Sequence, residues 1–88
     1  MVHVHFTQHL RHVAPNGAVD AAGATVAAAL ADVFGRFPAV KGYVLDDQDR
    51  LRTHIAVFVD GTHVRKDVLS YPLGADSEVY VLQALSGG

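Results

Sequence analysis

The chain opens with apolar and polar residues in alternation. Val2, Val4 and Phe6 are separated by single polar residues, and this period of two predicts a β-strand whose even-numbered side chains are buried. Pro15-Asn16-Gly17 is a turn signal, so residues 18–21 can return as the second strand of a hairpin. The start of the chain is therefore predicted to be a β-hairpin.

The next segment changes to a helical period. Thr25 is a good N-cap, because its hydroxyl can accept a hydrogen bond from a free backbone N–H of the first turn. Asp32 and Arg36 are four residues apart and can pair on the outer side of the helix. Phe37-Pro38 should end the helix, because the residue before proline avoids helical geometry. The predicted apolar stripe consists of Val26, Leu30, Val33, Phe34 and Phe37.

The second half of the chain alternates strand and turn signals. We expect residues 39–49 to be irregular, with the acidic run at 46–49 forming a solvated turn. Residues 52–59 are rich in β-branched and aromatic side chains and predict a strand. Asp60-Gly61 is a strong hairpin signal, after which the chain returns over residues 62–65.

Residues 78–85 predict a last strand, and because this segment is apolar on both faces we expect it to be central in the sheet. The order of elements indicates an α+β protein with one main helix on a mixed sheet of four or five strands. The β-grasp fold satisfies this order, with the first and last strands adjacent and parallel.

Composition narrows the function classes. The chain has 88 residues, half of them hydrophobic, which predicts a single folded domain over residues 1–85 followed by a flexible tail, residues 86–88. A net charge of −2 without a basic block argues against nucleic acid as a partner. The absence of cysteine excludes disulfides and thiolate zinc sites. No signal-peptide or membrane-span pattern is present, so we expect a cytoplasmic protein.

The final residues, Ser86-Gly87-Gly88, follow directly after the apolar last strand. Glycine has no Cβ, so such a tail is thin enough to enter a narrow tunnel and present its terminal carboxylate to another protein. The alternative is that the two glycines are only a frayed end, since chain termini are commonly disordered.

Several segments together resemble the MoaD/ThiS family of ubiquitin-like sulfur carriers. The similarity lies in Gly23-Ala24-Thr25-Val26, Val57-Phe58-Val59-Asp60-Gly61, residues 72–79 and, most specifically, residues 82–88. It covers nearly the whole chain, and the long middle segment is most similar to carriers of the CysO type. Ala84 and Ser86 stand where ubiquitin-type tails carry arginines, which favours a sulfur carrier over a lysine-tagging modifier.

The resemblance implies a function for the tail. A partner adenylating enzyme of the MoeB/ThiF type uses ATP to activate the Gly88 carboxylate, which becomes a thiocarboxylate. This group then donates sulfur in molybdopterin, thiamine or cysteine biosynthesis, together with a sulfur-acceptor synthase subunit. Gly87 must be small, and Ser86 and Leu85 extend the arm. The chain binds no cofactor itself and is not expected to be an enzyme.

The resemblance also implies that the outward face of the sheet docks the partner. Phe58, Tyr80 and Leu82 lie on that face if Val57 and the two valines at 79 and 81 face the helix. An exposed patch of aromatic and aliphatic side chains is a usual interaction site. The alternative function is a non-catalytic β-grasp interaction module with an inert tail.

Six histidines are many for this length. His3 and His5 share one face of the first strand, followed by His9 and His12, and imidazoles at such spacing can bind metal ions. No Asp, Glu or Cys near them in the sequence completes a site, so we predict none, although a metal-binding protein remains an alternative. We also expect His54 and the sixth histidine, at position 63, on paired strands.

Overall fold

A five-stranded mixed sheet covered on one face by helix is the frame of the protein. The computed structural model describes residues 1–6 and 17–83. The strands are β1 (Val2–Phe6), β2 (Val19–Ala21), β3 (Ile55–Val59), β4 (Thr62–Val64) and β5 (Glu78–Gln83), and the helices are α1 (Val26–Arg36) and α2 (Pro38–Val44). None of the helices in the described ranges is long and apolar enough to cross a membrane.

The sheet has the strand order β2-β1-β5-β3-β4. The first and last strands, β1 and β5, pair in parallel, whereas the other three strand pairs are antiparallel. This arrangement confirms the predicted β-grasp order and the central place of the last strand. The strand β5 is paired along both of its edges, with β1 and with β3, while its two faces differ: Val79 and Val81 are buried and Tyr80 is exposed.

The helix α1 forms as its sequence predicts. The Thr25 side chain caps it by accepting a hydrogen bond from the backbone N–H of Ala28 at 3.2 Å. Arg36 pairs with Asp32 at 3.3 Å on the exposed side. Its buried residues are Val26, Ala29, Leu30, Val33 and Phe34, and they pack on the sheet.

The core lies between α1 and one face of the sheet. The sheet contributes four fully buried valines to this core: Val4, Val57, Val79 and Val81. The even-numbered face of β1 is buried at Val2 and Val4 and half-buried at Phe6, as the alternation predicts. Burial of this kind is the main favourable contribution to folding.

The segment after α1 was predicted to be irregular, but its first part is helical. Residues 38–44 form α2, because Pro38 stands at the first helical position, where its missing N–H costs no hydrogen bond. Val40 and Val44 are one turn apart and both are fully buried, which anchors this short helix. The predicted stop at Phe37-Pro38 is confirmed for α1, but the chain immediately starts a second helix there.

The acidic segment that follows α2 is a turn, as predicted. The Asp46 carboxylate accepts hydrogen bonds from the backbone N–H groups of Gln48 at 2.9 Å and Arg50 at 3.0 Å. These bonds, that to Arg50 first, lower the pKa of Asp46 below its ordinary value. A local side-chain bond of this kind favours a turn over continued helix.

The predicted start of the third strand differs from the structure. The strand β3 begins at Ile55 rather than at residue 52, because residues 52–54 are tied back towards α2: the backbone N–H of Arg52 donates to Val44 and its side chain to Gly42. The last strand is described as far as Gln83, and residues 84 and 85 lie outside the described part of the chain.

Candidate docking face of the sheet

The face of the sheet opposite α1 carries the predicted docking residues. Val57 and the two valines of β5 are fully buried against the helix, so the residues between them point outward, as expected. Tyr80 is 40% exposed, and Phe58 and Leu82 are half-buried. The structure therefore brings these three side chains together on one surface, and their role in docking stays a prediction.

Four rings cross this face in a single row. His5 stacks on Tyr80 with ring centroids 4.2 Å apart, and Phe58 stacks on His63 with centroids 4.6 Å apart. Tyr80 and Phe58 are register partners on β5 and β3, which joins the two pairs. We call His5, Tyr80, Phe58 and His63 the aromatic row. Leu82, opposite Ala56, extends the same surface toward the end of β5.

Strand pairing produces the aromatic row. His5 lies opposite Tyr80 across the parallel pair, and His63 lies opposite Phe58 across the antiparallel hairpin. Directly opposed side chains on one face of a sheet are close enough to interact. Sequence reasoning misses the two histidines as parts of this surface, because alternation within a strand shows its face but not its register with the neighbouring strand.

The predicted pairing of two histidines is wrong. His54 precedes β3 and lies in a turn, so it is not a strand residue. The register partner of His63 is Phe58 rather than His54. The hairpin itself is as predicted, with positive φ angles of 50° at Asp60 and 87° at Gly61 that fit a two-residue turn.

A cluster of imidazoles and carboxylates adjoins the aromatic row. His3 Nδ1 lies 2.8 Å from Asp20 Oδ1, and His5 Nε2 lies 2.7 Å from Glu78 Oε1. His3 Nε2 lies 3.9 Å from Glu78 Oε2. We call His3, His5, Asp20 and Glu78 the histidine–carboxylate cluster. The carboxylates that the local sequence lacks are thus supplied by β2 and β5.

A groove on the helical side of the molecule has a volume of about 450 Å³. Its apolar lining includes Leu30, Phe34 and Leu69, and it was not predicted from the sequence. Lys41 and Asp49 at its edge pair with each other at 3.2 Å. Because these two charged groups satisfy each other, the groove has no evident catalytic chemistry.

The predicted reactive tail lies outside the described residues. This concerns Leu85, Ser86, Gly87 and Gly88, whose predicted roles stay predictions. The described chain reaches Gln83 on β5, the strand that also carries Tyr80 and Leu82. The candidate docking face and the tail are therefore parts of one continuous segment.

Comparisons with known proteins agree with this fold. The sequence profile of the ThiS family matches residues 4–88. Among solved structures, the chain is similar to the CysO protein in the Amycolatopsis orientalis BexX/CysO complex, with 29% identity, complete coverage of both chains and a TM-score of 0.87. No curated protein matches the chain significantly.

Two further solved structures are similar to the chain. SAMP1 of Haloferax volcanii is 30% identical, with 99% of this chain and 98% of that chain covered and a TM-score of 0.80. CysO of Mycobacterium tuberculosis has a TM-score of 0.85 at 22% identity, with 97% of this chain and 100% of that chain covered, and supports the fold alone.

Proposed function

Because the chain belongs to the ThiS family of ubiquitin-like sulfur carriers, we propose that it carries sulfur as a thiocarboxylate on Gly88. The reactive group is then the terminal carboxylate and not a side chain. The observation that carries the proposal is the continuity of β5, which bears Tyr80 and Leu82 and leads directly into the tail.

The chemistry proceeds in two steps on a partner enzyme. A carboxylate is a poor electrophile, so an adenylating enzyme of the MoeB/ThiF type joins it to AMP with release of pyrophosphate from ATP. Sulfide then attacks the acyl carbon, a C–S bond forms, the C–O bond to AMP breaks, and AMP leaves. The carrier itself holds no cofactor in this scheme. Because the reaction consumes ATP, we expect it to take place in the cytoplasm.

The docking face holds the carrier while its tail reacts. Tyr80 is exposed, and its neighbours in the aromatic row form with it a row of rings that a partner can cover. Gly88 lies eight residues after Tyr80, so a fully extended arm spans at most about 26–29 Å. We expect the adenylating site of the partner to lie within that distance of the docked rings.

A second partner receives the sulfur. CysO of Amycolatopsis orientalis is solved in a complex with BexX. By similarity, we propose that a sulfur-acceptor synthase subunit binds this chain after it has been loaded. The acceptor is then a molybdopterin precursor, a thiazole precursor or an activated serine derivative.

The alternative is an interaction module whose tail is inert. It would use the same Phe58, Tyr80 and Leu82 surface, so docking alone does not distinguish the two functions. A protein modifier is a further outcome to test, since SAMP1 of Haloferax volcanii is named a small archaeal modifier protein. Only chemistry at Gly88 separates these functions.

The test is ATP–pyrophosphate exchange with a candidate adenylating enzyme. We expect exchange that depends on the carrier and disappears when Gly88 is deleted or when one residue is added after it. The matched control is Gln83→Ala, on the exposed end of β5, which keeps the terminal carboxylate. Exchange that persists without Gly88 would contradict the proposal, and absence of exchange with every adenylating enzyme of the host would favour the inert module.

A further inference from the structure

The histidine–carboxylate cluster takes no part in the proposed chemistry at Gly88. We propose that it binds one divalent transition-metal ion, Zn²⁺ in the first instance, through Nε2 of His3, Nε2 of His5 and the carboxylate of Glu78. Asp20 then acts on His3 and not on the metal. The three strands β2, β1 and β5 hold these residues on one face of the sheet by backbone pairing.

The two ring nitrogens of His3 have different neighbours. Asp20 Oδ1 lies 2.8 Å from Nδ1, so in the neutral ring the hydrogen is held on Nδ1 and the lone pair is on Nε2. This tautomer is inferred from the hydrogen bond. A carboxylate bonded to the far nitrogen of a histidine is the usual partner of a metal-ligating imidazole.

The free nitrogen of His3 faces a second electron-pair donor. Glu78 Oε2 lies 3.9 Å from Nε2, which is too long for a hydrogen bond. Zinc bonds to nitrogen and oxygen of about 2.0–2.2 Å in a tetrahedral site place two ligand atoms about 3.3–3.6 Å apart. A small approach of the two groups therefore leaves room for a cation between them.

His5 supplies the third ligand. Its Nε2 lies 2.7 Å from Glu78 Oε1, and in the neutral ring it donates its hydrogen to that oxygen. When a cation binds, this hydrogen moves to Nδ1 by exchange with water, so the lone pair on Nε2 is freed without oxidation or net proton release. The two atoms must then separate by about 0.6 Å to reach tetrahedral ligand spacing.

The ligands rearrange before they surround the ion. As the side chains stand within residues 1–6 and 17–83, no group of three or more His, Cys, Asp or Glu residues could hold a metal ion, so binding requires His3, His5 and Glu78 to move. The side chains of His3, His5 and Glu78 are 37%, 26% and 43% exposed, so they can rotate without disturbing the core. Two imidazoles and one carboxylate suit Zn²⁺, Cu²⁺ or Ni²⁺ better than Ca²⁺ or Mg²⁺, which prefer oxygen ligands.

The test is a calorimetric titration of the metal-free full chain with Zn²⁺ at about pH 7.5. We expect one ion per chain, with affinity lost at least about tenfold in His3→Ala/His5→Ala and in Glu78→Gln. Asp20→Asn should weaken binding by about tenfold or more, because it disturbs the orientation and tautomer of His3. Thermal melting checks that each variant folds.

The matched control is His63→Ala, which removes an imidazole of the same face that is outside the cluster. It should bind Zn²⁺ as the unchanged protein does. Imidazole NMR signals give a second readout, in which the Nε2 resonances of His3 and His5 shift together on addition of the ion. The proposal is overturned if the unchanged protein takes up no Zn²⁺, or if Glu78→Gln and the double histidine variant bind it undiminished.

Discussion

Ser77 is a buried polar residue whose hydroxyl is fully used. It donates to Asp60 Oδ2 at 3.0 Å and accepts from the backbone N–H of Gly74 at 2.8 Å. The other Asp60 oxygen accepts from the backbone N–H of Glu78 at 2.9 Å. These bonds tie the β3–β4 turn to the first residue of β5. They therefore fix the start of the strand that places Glu78 and Tyr80 on the outer face.

Replacing Ser77 by alanine should destabilise the protein. The N–H of Gly74 and one oxygen of Asp60 then lose a buried partner, and we expect the free energy of unfolding to fall by about 1–2 kcal/mol. Urea denaturation measures this change. The matched control is Ser70→Ala, because the hydroxyl of Ser70 is exposed and donates to the Asp67 carbonyl. A loss in the control equal to that of Ser77→Ala would contradict this account.

The Asp46 turn predicts a pH dependence. Its carboxylate has a lowered pKa in the folded protein, so it stabilises the fold above its unfolded pKa, and this contribution is lost as the pH falls through the folded pKa. Asp46→Asn should therefore be less stable than the unchanged protein at neutral pH. The difference should narrow as the pH falls below about 4. Denaturation curves across this pH range measure the difference in the free energy of unfolding between the two proteins. A difference that does not change with pH would show that the charge of Asp46 makes no contribution.

At the scale of elements, one glycine before α1 and one glycine within it have opposite roles. A Cβ on Gly23 would lie 2.5 Å from the backbone nitrogen of Ala29, whereas one on Gly35 would meet nothing within 4 Å. Gly23 therefore permits the close approach of β2 and the start of the helix. Gly35 lies inside α1 on the exposed side.

The two alanine variants should change stability in opposite directions. Gly35→Ala should raise the free energy of unfolding by about 0.5–1 kcal/mol, since glycine disfavours helix interiors. Gly23→Ala should lower it by about 1–3 kcal/mol, because the backbone must shift to admit the methyl group. Paired thermal melts compare them, and a stabilised Gly23→Ala would show that the described approach of the two elements is wrong.

Elements with strong local signals were predictable from the sequence, and the second helix was not. The Thr25 cap and the following apolar stripe specify α1 by themselves. In contrast, α2 has seven residues and relies on burial of Val40 and Val44, which is a tertiary contribution that a short pattern does not reveal. The third strand was predicted to start too early, at residue 52, for the same reason: the side chain of Arg52 donates a hydrogen bond to the Gly42 carbonyl on α2, a contact that the local sequence does not show.

At the scale of the molecule, the docking face has contributions from separate strands. Face assignment by alternation correctly brought Phe58, Tyr80 and Leu82 to one surface. Strand register then added His5 and His63, and it placed Asp20 and Glu78 beside the first-strand histidines. These neighbours are far apart in sequence, so only the fold could join them.

Removing the exposed ring of Tyr80 should weaken activation without unfolding the protein. Central aromatic residues of an interface commonly contribute about 1–2 kcal/mol or more, so Tyr80→Ala should raise the carrier concentration needed for half-maximal adenylation by about 5–30-fold. The matched control is Tyr43→Ala, an exposed tyrosine on α2. Equal effects of the two variants would argue against the sheet face as the docking surface.

The central claim is that sulfur is carried on the Gly88 carboxylate. The most direct measurement is the intact mass of the chain after reaction with ATP, a sulfide source and the adenylating enzyme, followed by fragmentation of the tail. We predict a mass gain equal to the replacement of one oxygen atom by sulfur, located at Gly88 and absent without ATP. An unchanged mass alongside productive adenylation, or a sulfur atom located elsewhere, would contradict the account.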